Sequence, residues 1–381
     1  MSWIYTCLLL LASLHLCTCR MKYECGSKLL ENCFCGEKYI AADKATAFLV
    51  ECIGQGFTNV DMLKVLPEET EELVFTGNNI PILPWNVFGD LNNLTKLRKI
   101  DMSNNKIRDI KGKSYHHVPN VELLILNHNE LIVSDTDDDN YHHPRVFSNF
   151  INLQELHLTN AFADNTDEAL ANDLHDIFNN SGLTKLYKLH LEQNEIKHFR
   201  DPNVFCDLPN LHDLYMGDNY VPALNFNVRC LKKLRFLDLE HNNITRLSQK
   251  DLDNLDKLMA PNREIKLVMD ISRNPLKCDA VAKNLCTWLQ RTNVTLRNRD
   301  SLECSFNKYS NKQLVNVLCA HKSYKFSQAT TIMLVVLSLV LVSLVAAYVY
   351  LTRDVIKKKM APIIDKVGRK VQYTTIESQD V

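Results

Sequence analysis

Apolar residues recur along this chain in a fixed figure: two of them two apart, with a third three places earlier, as in Val121, Leu124 and Leu126, or Leu186, Leu189 and Leu191. Residues two apart point to the same side of an extended strand, so each figure predicts a short strand with one face in a core and one in water. The fullest copy, Leu234-Arg-Phe-Leu-Asp-Leu-Glu-His-Asn-Asn-Ile244, goes on to an Asn at the ninth place and an apolar residue at the eleventh. The same frame can be laid on the chain at Thr70, Leu97, Val121, Leu153, Leu186, Leu211, Leu234 and Lys266, at spacings of 27, 24, 32, 33, 25, 23 and 32 residues. The ninth-place residues Asn78, Asn105, Asn129, Asn194, Asn219, Asn242 and Asn274 follow the turn out of each strand. A buried amide there serves main-chain groups that no ladder satisfies, which makes these asparagines structural. Phe88 and Phe205, in Phe88-Gly-Asp-Leu91 and Phe205-Cys-Asp-Leu208, lie on the return path and are expected to fill the other side of the core.

This is the pattern of a leucine-rich repeat, in which one coil cannot bury its apolar face and stacked coils can. It predicts an α/β solenoid of about eight repeats over residues 67–276, curved, with parallel strands on its concave face. Two inserts interrupt it. The loop from Val133 to Pro144 is acidic and lengthens the third repeat; a calcium site at Asp135 to Asp139 lacks the ligand and Gly spacing of a calcium loop, so a solvated charge run is the expectation. In the fourth repeat Ala161 replaces the ladder Asn, and the apolar spacing of Asp167 to Phe178 predicts a helix on the convex side.

Between the leucines the chain is free to vary. The fifth places read Val74, Asp101, Ile125, His157, His190, Tyr215, Asp238 and Asp270, beside Glu155, Lys188, Asp213 and Phe236 at the third places. Aromatic anchors among charges suit protein recognition, so Glu155, His157, Lys188, His190, Asp213, Tyr215, Phe236 and Asp238 are the candidate ligand-binding residues. His157 and His190 fall on neighbouring strands; as a metal site they offer only two ligands, which bind weakly. The competing reading is a solvated face with binding on loops or the convex side. No catalytic constellation occurs, so neither an enzyme nor a cofactor is expected.

The thirteen cysteines cluster towards the ends. Cys25, Cys33, Cys35 and Cys52 fall in residues 20–66 and Cys278, Cys286, Cys304 and Cys319 in 277–320, as disulfide-pinned caps over the exposed ends of a solenoid would require. A zinc site at the first cluster fits a secreted context poorly. Four cysteines allow three pairings each. Cys206 and Cys230 precede successive repeats, where equivalent positions lie about 5 Å apart, so they form either a disulfide or two buried thiols.

Residues 1–19, with Leu8-Leu-Leu-Leu-Ala12-Ser-Leu, read as a signal peptide, and Asn93, Asn179, Asn243 and Asn293 are N-glycosylation acceptors on the luminal side. After a linker at 321–328, residues 329–351 carry 23 positions without a charge, enough at 1.5 Å per residue to cross a ~30 Å hydrocarbon core. Arg353, Lys357, Lys358 and Lys359 then place the tail, 352–381, in the cytoplasm. The expectation is a single-pass type I plasma-membrane protein with an extracellular amino terminus. Its tail is too short for a kinase or a Toll/interleukin-receptor domain. That tail alternates apolar residues with cations, which suits either an interfacial helix or a plain stop-transfer cluster. Tyr373-Thr-Thr-Ile376 has the form of an endocytic adaptor signal, and Asp380-Val381 ends the chain as a PDZ ligand does. A formal net charge of -1 argues against a nucleic-acid partner.

The order of cap, interrupted repeats, cap, span and basic tail resembles the trophoblast glycoprotein family and its invertebrate relatives. Cys278-Asp, Thr287-Trp-Leu, Asp300-Ser-Leu-Glu-Cys304 and the Asp380-Val381 end carry the resemblance. It implies Cys25 paired with Cys35, Cys33 with Cys52, Cys278 with Cys304 and Cys286 with Cys319. One departure touches the last two: many members have the first two cysteines of this cap one residue apart, and here Ala280 takes the second place. The resemblance further implies a cell-surface glycoprotein that binds protein ligands or co-receptors and modulates signalling, with inhibition of the Wnt/β-catenin pathway among its effects. An adhesion or guidance receptor and an innate immune co-receptor are the alternatives.

Overall fold

The computed structural model describes residues 22–40, 45–133, 146–164, 166–259, 263, 265–306 and 311–376. The leader and the loop from Ser134 to Pro144, with its Asp135 to Asp139 run, lie outside them. The chain divides into two units, Met1–Asn316 and Val317–Val381.

The first unit is a leucine-rich-repeat solenoid on one 12-stranded sheet. Strands β1 (Lys22–Tyr23), β2 (Phe34–Ile40) and β3 (Ala45–Ile53) form an antiparallel cap. From β3 onward every pairing in this sheet is parallel. The strands are β4 (Glu72–Thr76), β5 (Lys99–Asp101), β6 (Leu123–Ile125), β7 (Glu155–His157), β8 (Lys188–His190), β9 (Asp213–Tyr215), β10 (Phe236–Asp238), β11 (Val268–Asp270) and β12 (Thr295–Leu296). The first eight of these cover the third to fifth places of the eight frames, in register, so that His157 faces His190 and Tyr215 faces Asp238. The ninth, β12, carries the sheet one strand into the second cap, where two residues are too few to show a frame.

Each coil turns at its eighth place in the left-handed region. Gly77, Asn104, His128, Asn160, Gln193, Asp218, His241 and Arg273 have φ between 47° and 70°. That turn aims the next residue inward. The ninth-place asparagines are accordingly buried and tie two coils together. The Asn219 Oδ1 accepts from the amides of Asn194 and Ile196 in the coil before it, and its Nδ2 donates to the Leu191 carbonyl. Asn129 repeats the arrangement, and Asn105, Asn242 and Asn274 keep the carbonyl bond and one of the two amides. At Ala161 the ladder is broken. There the helix α1 (Asp167–Phe178) intervenes, N-capped by Thr166, and its fully buried Asp173 accepts from the Val133 amide at 3.0 Å.

The core lies between strands and return path. Phe88 and Phe205 are buried there, with Phe205 meeting Phe199 at 5.3 Å and Phe226 at 5.5 Å in edge-on contacts. Leu91 behaves differently from its counterpart Leu208: it is 71% exposed, and Leu94 takes the buried place. A second helix, α2 (Gln249–Leu258), is closed at its start by a Ser248–Asp251 capping box. Its Asp256 accepts from Trp288 Nε1 and Thr292 Oγ1 of the second cap.

The structure contains the disulfides Cys25–Cys35, Cys33–Cys52, Cys206–Cys230 and Cys278–Cys304. Cys286 and Cys319 are disulfide-bonded as well. The helical stretch between Cys278 and Leu289 includes a π turn at Val281–Leu285, so the expected cysteine pair is spread over two turns. The second unit is built on α3 (Val315–Ile376), whose segment Thr330–Val355 is long and apolar enough to cross a membrane.

Candidate protein-binding face

The sheet brings the fifth-place side chains of β7 to β9 into one row because neighbouring strands pair without offset, and the third-place Phe236 of β10 extends it diagonally. The rings of His157 and His190 lie 4.1 Å apart, His190 stacks on Tyr215 at 4.2 Å with planes within 3°, and Tyr215 meets Phe236 at 5.3 Å. Arg297, beyond β12, closes the row with its guanidinium 5.6 Å from the Phe236 ring. All four rings are half-buried and one face of the sheet carries them all. Such a row is already ordered, so a partner that covers it loses little side-chain entropy.

Acids and bases flank the rings. Glu155 accepts from Tyr187 Oη at 2.5 Å and Lys188 Nζ at 3.0 Å, and His157 Nε2 stands at 3.5 Å. His157, Tyr187 and Lys188 together hold the Glu155 carboxyl at about 2 against the cost of burial, and the hydrogen bond to Glu155 pushes Tyr187 up to about 12. Asp213, buried, takes both arms of Arg235 at 2.7 Å. His190 Nδ1 is 2.9 Å from Glu192, whose other oxygen accepts from Thr159 Oγ1.

Asp238 is different. One oxygen accepts from the Glu240 amide at 2.9 Å, as the acids at this place in other coils bond the residue two ahead. The other oxygen lies over Gly217, where a Cβ would come within 3.3 Å of it. Gly217 does not have a left-handed φ, so the backbone does not require glycine there; what a larger residue would crowd is the carboxylate, which would have to give by a few tenths of an ångström. Burial, together with the charges of Asp270, Glu240 and Glu192, pushes Asp238 up to about 6. Asp238, Glu240 and Asp270 gather carboxylate oxygens within 4.8 Å of one another.

All eight residues read from the sequence as a binding face therefore stand on β7 to β10. Sequence reasoning missed Tyr187, Glu192, Glu240 and Arg297. The first three sit at second and seventh places, where a strand-face column could have been continued, and Arg297 follows a strand without a frame. The acceptor residues Asn179, Asn243 and Asn293 are exposed and Asn93 is half-buried. Tyr373 and Ile376 fall in α3, while Asp380 and Val381 lie outside the described residues.

No protein-family model matches the chain. Trophoblast glycoprotein of Macaca fascicularis is 28% identical over 284 residues, which is 70% of this chain and 63% of its own length. The crystal structure of human trophoblast glycoprotein (Wnt-activated inhibitory factor 1) superposes with a TM-score of 0.57 at 22% identity, over 73% of this chain and 94% of that one. The chain resembles trophoblast glycoprotein. Toll-like receptor 5 of Homo sapiens is 27% identical over 228 residues, 57% of this chain but 23% of its own length. The chain spans less than two thirds of the length of either curated relative.

Proposed function

We propose that this chain is a single-pass type I glycoprotein of the plasma membrane whose solenoid binds a protein ligand or co-receptor on its concave face and so inhibits Wnt/β-catenin signalling. The observation that carries the reading is the row of four half-buried rings at His157, His190, Tyr215 and Phe236, set among charges on one face of the sheet. One relative is named a receptor, Toll-like receptor 5, and human trophoblast glycoprotein is also named Wnt-activated inhibitory factor 1. The apolar segment Thr330–Val355 supports a membrane anchor, with Arg353 and Lys357 to Lys359 on the cytoplasmic side. Tyr373 to Ile376 and Asp380-Val381 would then serve endocytic or PDZ adaptors, outside the signalling step.

The test is a β-catenin reporter in Wnt-stimulated cells with the full-length chain expressed or removed. Expression is expected to lower the output several-fold, and Tyr215→Ala/Phe236→Ala at equal surface level to restore it. An unchanged reporter on both gain and loss removes the Wnt assignment and leaves adhesion as the alternative.

A further inference from the structure

The charges of the concave face are divided between its two flanks. Along the second and third places, with five acids and four bases, they nearly cancel: Lys99 pairs with Glu72 at 3.7 Å, Arg98 with Glu122 at 2.8 Å, Lys188 with Glu155 at 3.0 Å and Arg235 with Asp213 at 2.7 Å. Each of these acids has its own base on a neighbouring coil, so the flank offers little net charge to a partner. Along the fifth and seventh places of β8 to β11 stand Glu192, Asp238, Glu240 and Asp270. Two guanidiniums answer them: Arg273 at 3.2 Å from Glu240, and Arg297 at 3.9 Å from Asp270. His190 reaches Glu192. Among the ion pairs of the described residues none includes Asp238.

Asp238 is also the residue at which the charged flank meets the ring row, since it pairs in register with Tyr215 and stands two places after Phe236 on the same strand. Its carboxylate is held over Gly217 rather than swung into water. A half-buried carboxylate without a cation is costly to the fold, and its environment shows this in the upward shift of its pKa. A cation brought by a partner would supply the missing charge where the dielectric is low, which makes the pairing specific as well as favourable.

Resting on the concave-face reading, we propose that this face receives a protein segment in which an arginine or lysine adjoins an apolar or aromatic side chain, the cation set against Asp238 and Glu240 and the apolar group against Tyr215 and Phe236. Charge complementarity selects the basic segment. The balanced flank selects nothing, and the four-to-two excess of carboxylates over guanidiniums repels an acidic one. Acidification weakens the contact, because protonation of Asp238 removes the charge that the partner's cation meets; Glu192, Glu240 and Asp270 are the acids around it, and His190, Arg273 and Arg297 the bases.

The experiment applies the detergent-solubilised full-length chain to an array of random dodecapeptides, in parallel with Asp238→Asn/Glu240→Gln and Tyr215→Ala/Phe236→Ala. The brightest peptides are expected to carry Arg or Lys within two residues of an aromatic or aliphatic side chain. Both double variants should lower their signal at least tenfold, and a shift from pH 7.5 to 5.5 should lower it for the unsubstituted chain. Selection of acidic or uncharged peptides overturns the inference. So does a signal that falls with Tyr215→Ala/Phe236→Ala and not with Asp238→Asn/Glu240→Gln, an outcome that leaves the concave-face reading standing. If neither pair changes the signal, or no peptide binds above scrambled controls, both fail. Calcium alone at 1 mM binding in titration calorimetry, and abolished by Asp238→Asn, would make this a metal site and overturn the peptide assignment too.

Discussion

Asp238 and Glu155 show how one sheet face treats two carboxylates in opposite ways. Glu155 is held at about 2 by His157, Tyr187 and Lys188, so it contributes stability above its unfolded value of 4.5 and loses it as pH falls towards 2. Asp238, raised from 3.8 to about 6 by burial and neighbouring acids, runs the other way. Its contribution is favourable below about 3.8 and is lost as pH rises through 6, because the folded state then holds an ion that the unfolded chain would leave in water. Asp238→Asn keeps the acceptor for the Glu240 amide and removes the charge. Its thermal midpoint should therefore exceed that of the unsubstituted chain at pH 7.5, and the gap should close as pH is lowered from 6 to 4. A midpoint lower than the parent's at pH 7.5 would show that Asp238 serves the fold rather than a ligand. Trading stability for a charge at the surface is what binding sites commonly do.

At the scale of elements, the strands were legible in the sequence because burial of Leu237 and Leu239 fixes a period of two, and the frame then set register for Phe236 and Asp238 as well. The helix α1 was legible from the spacing of Leu170, Leu174, Ile177 and Phe178, all now buried. What the sequence could not show was contact between residues far apart along it. The Arg235–Asp213 pair spans 22 residues and the Tyr187–Glu155 bond 32, and neither partner is marked by its own coil. The break at Ala161 was visible, but not that Asp173 of α1 would serve the Val133 amide 40 residues before it. Asp173→Ala would leave that buried amide without its acceptor at a cost of about 1–3 kcal/mol. The check is a denaturant midpoint for the full-length chain in detergent; one within error of the parent would mean that α1 is an ornament on the coil rather than its closure.

For the whole molecule, the solenoid, its caps and the apolar helix divide the work. Asn ladders and left-handed turns at every eighth place make the coils uniform, so side chains between the leucines line up whatever they are. That uniformity makes the alignment of the candidate column legible from the repeat frame alone. The surroundings of Asp238 and Arg297 come from coil-to-coil contacts that no frame encodes. The four bridges with assigned partners lie in the first unit, two in the first cap, one between successive coils and one in the second cap, all at positions where a coil end or a coil junction is covalently fixed. The face they hold is the claim to test. The full-length chain on living cells can be cross-linked to its surface neighbours, which are then quantified by mass spectrometry, for the parent, for Tyr215→Ala/Phe236→Ala and for Lys250→Ala/Lys257→Ala on the exposed side of α2. Concave binding predicts that at least one surface protein captured by the parent falls tenfold or more with the ring variant and stays within twofold with the α2 variant. The same capture profile for all three chains, at equal surface level, would contradict it.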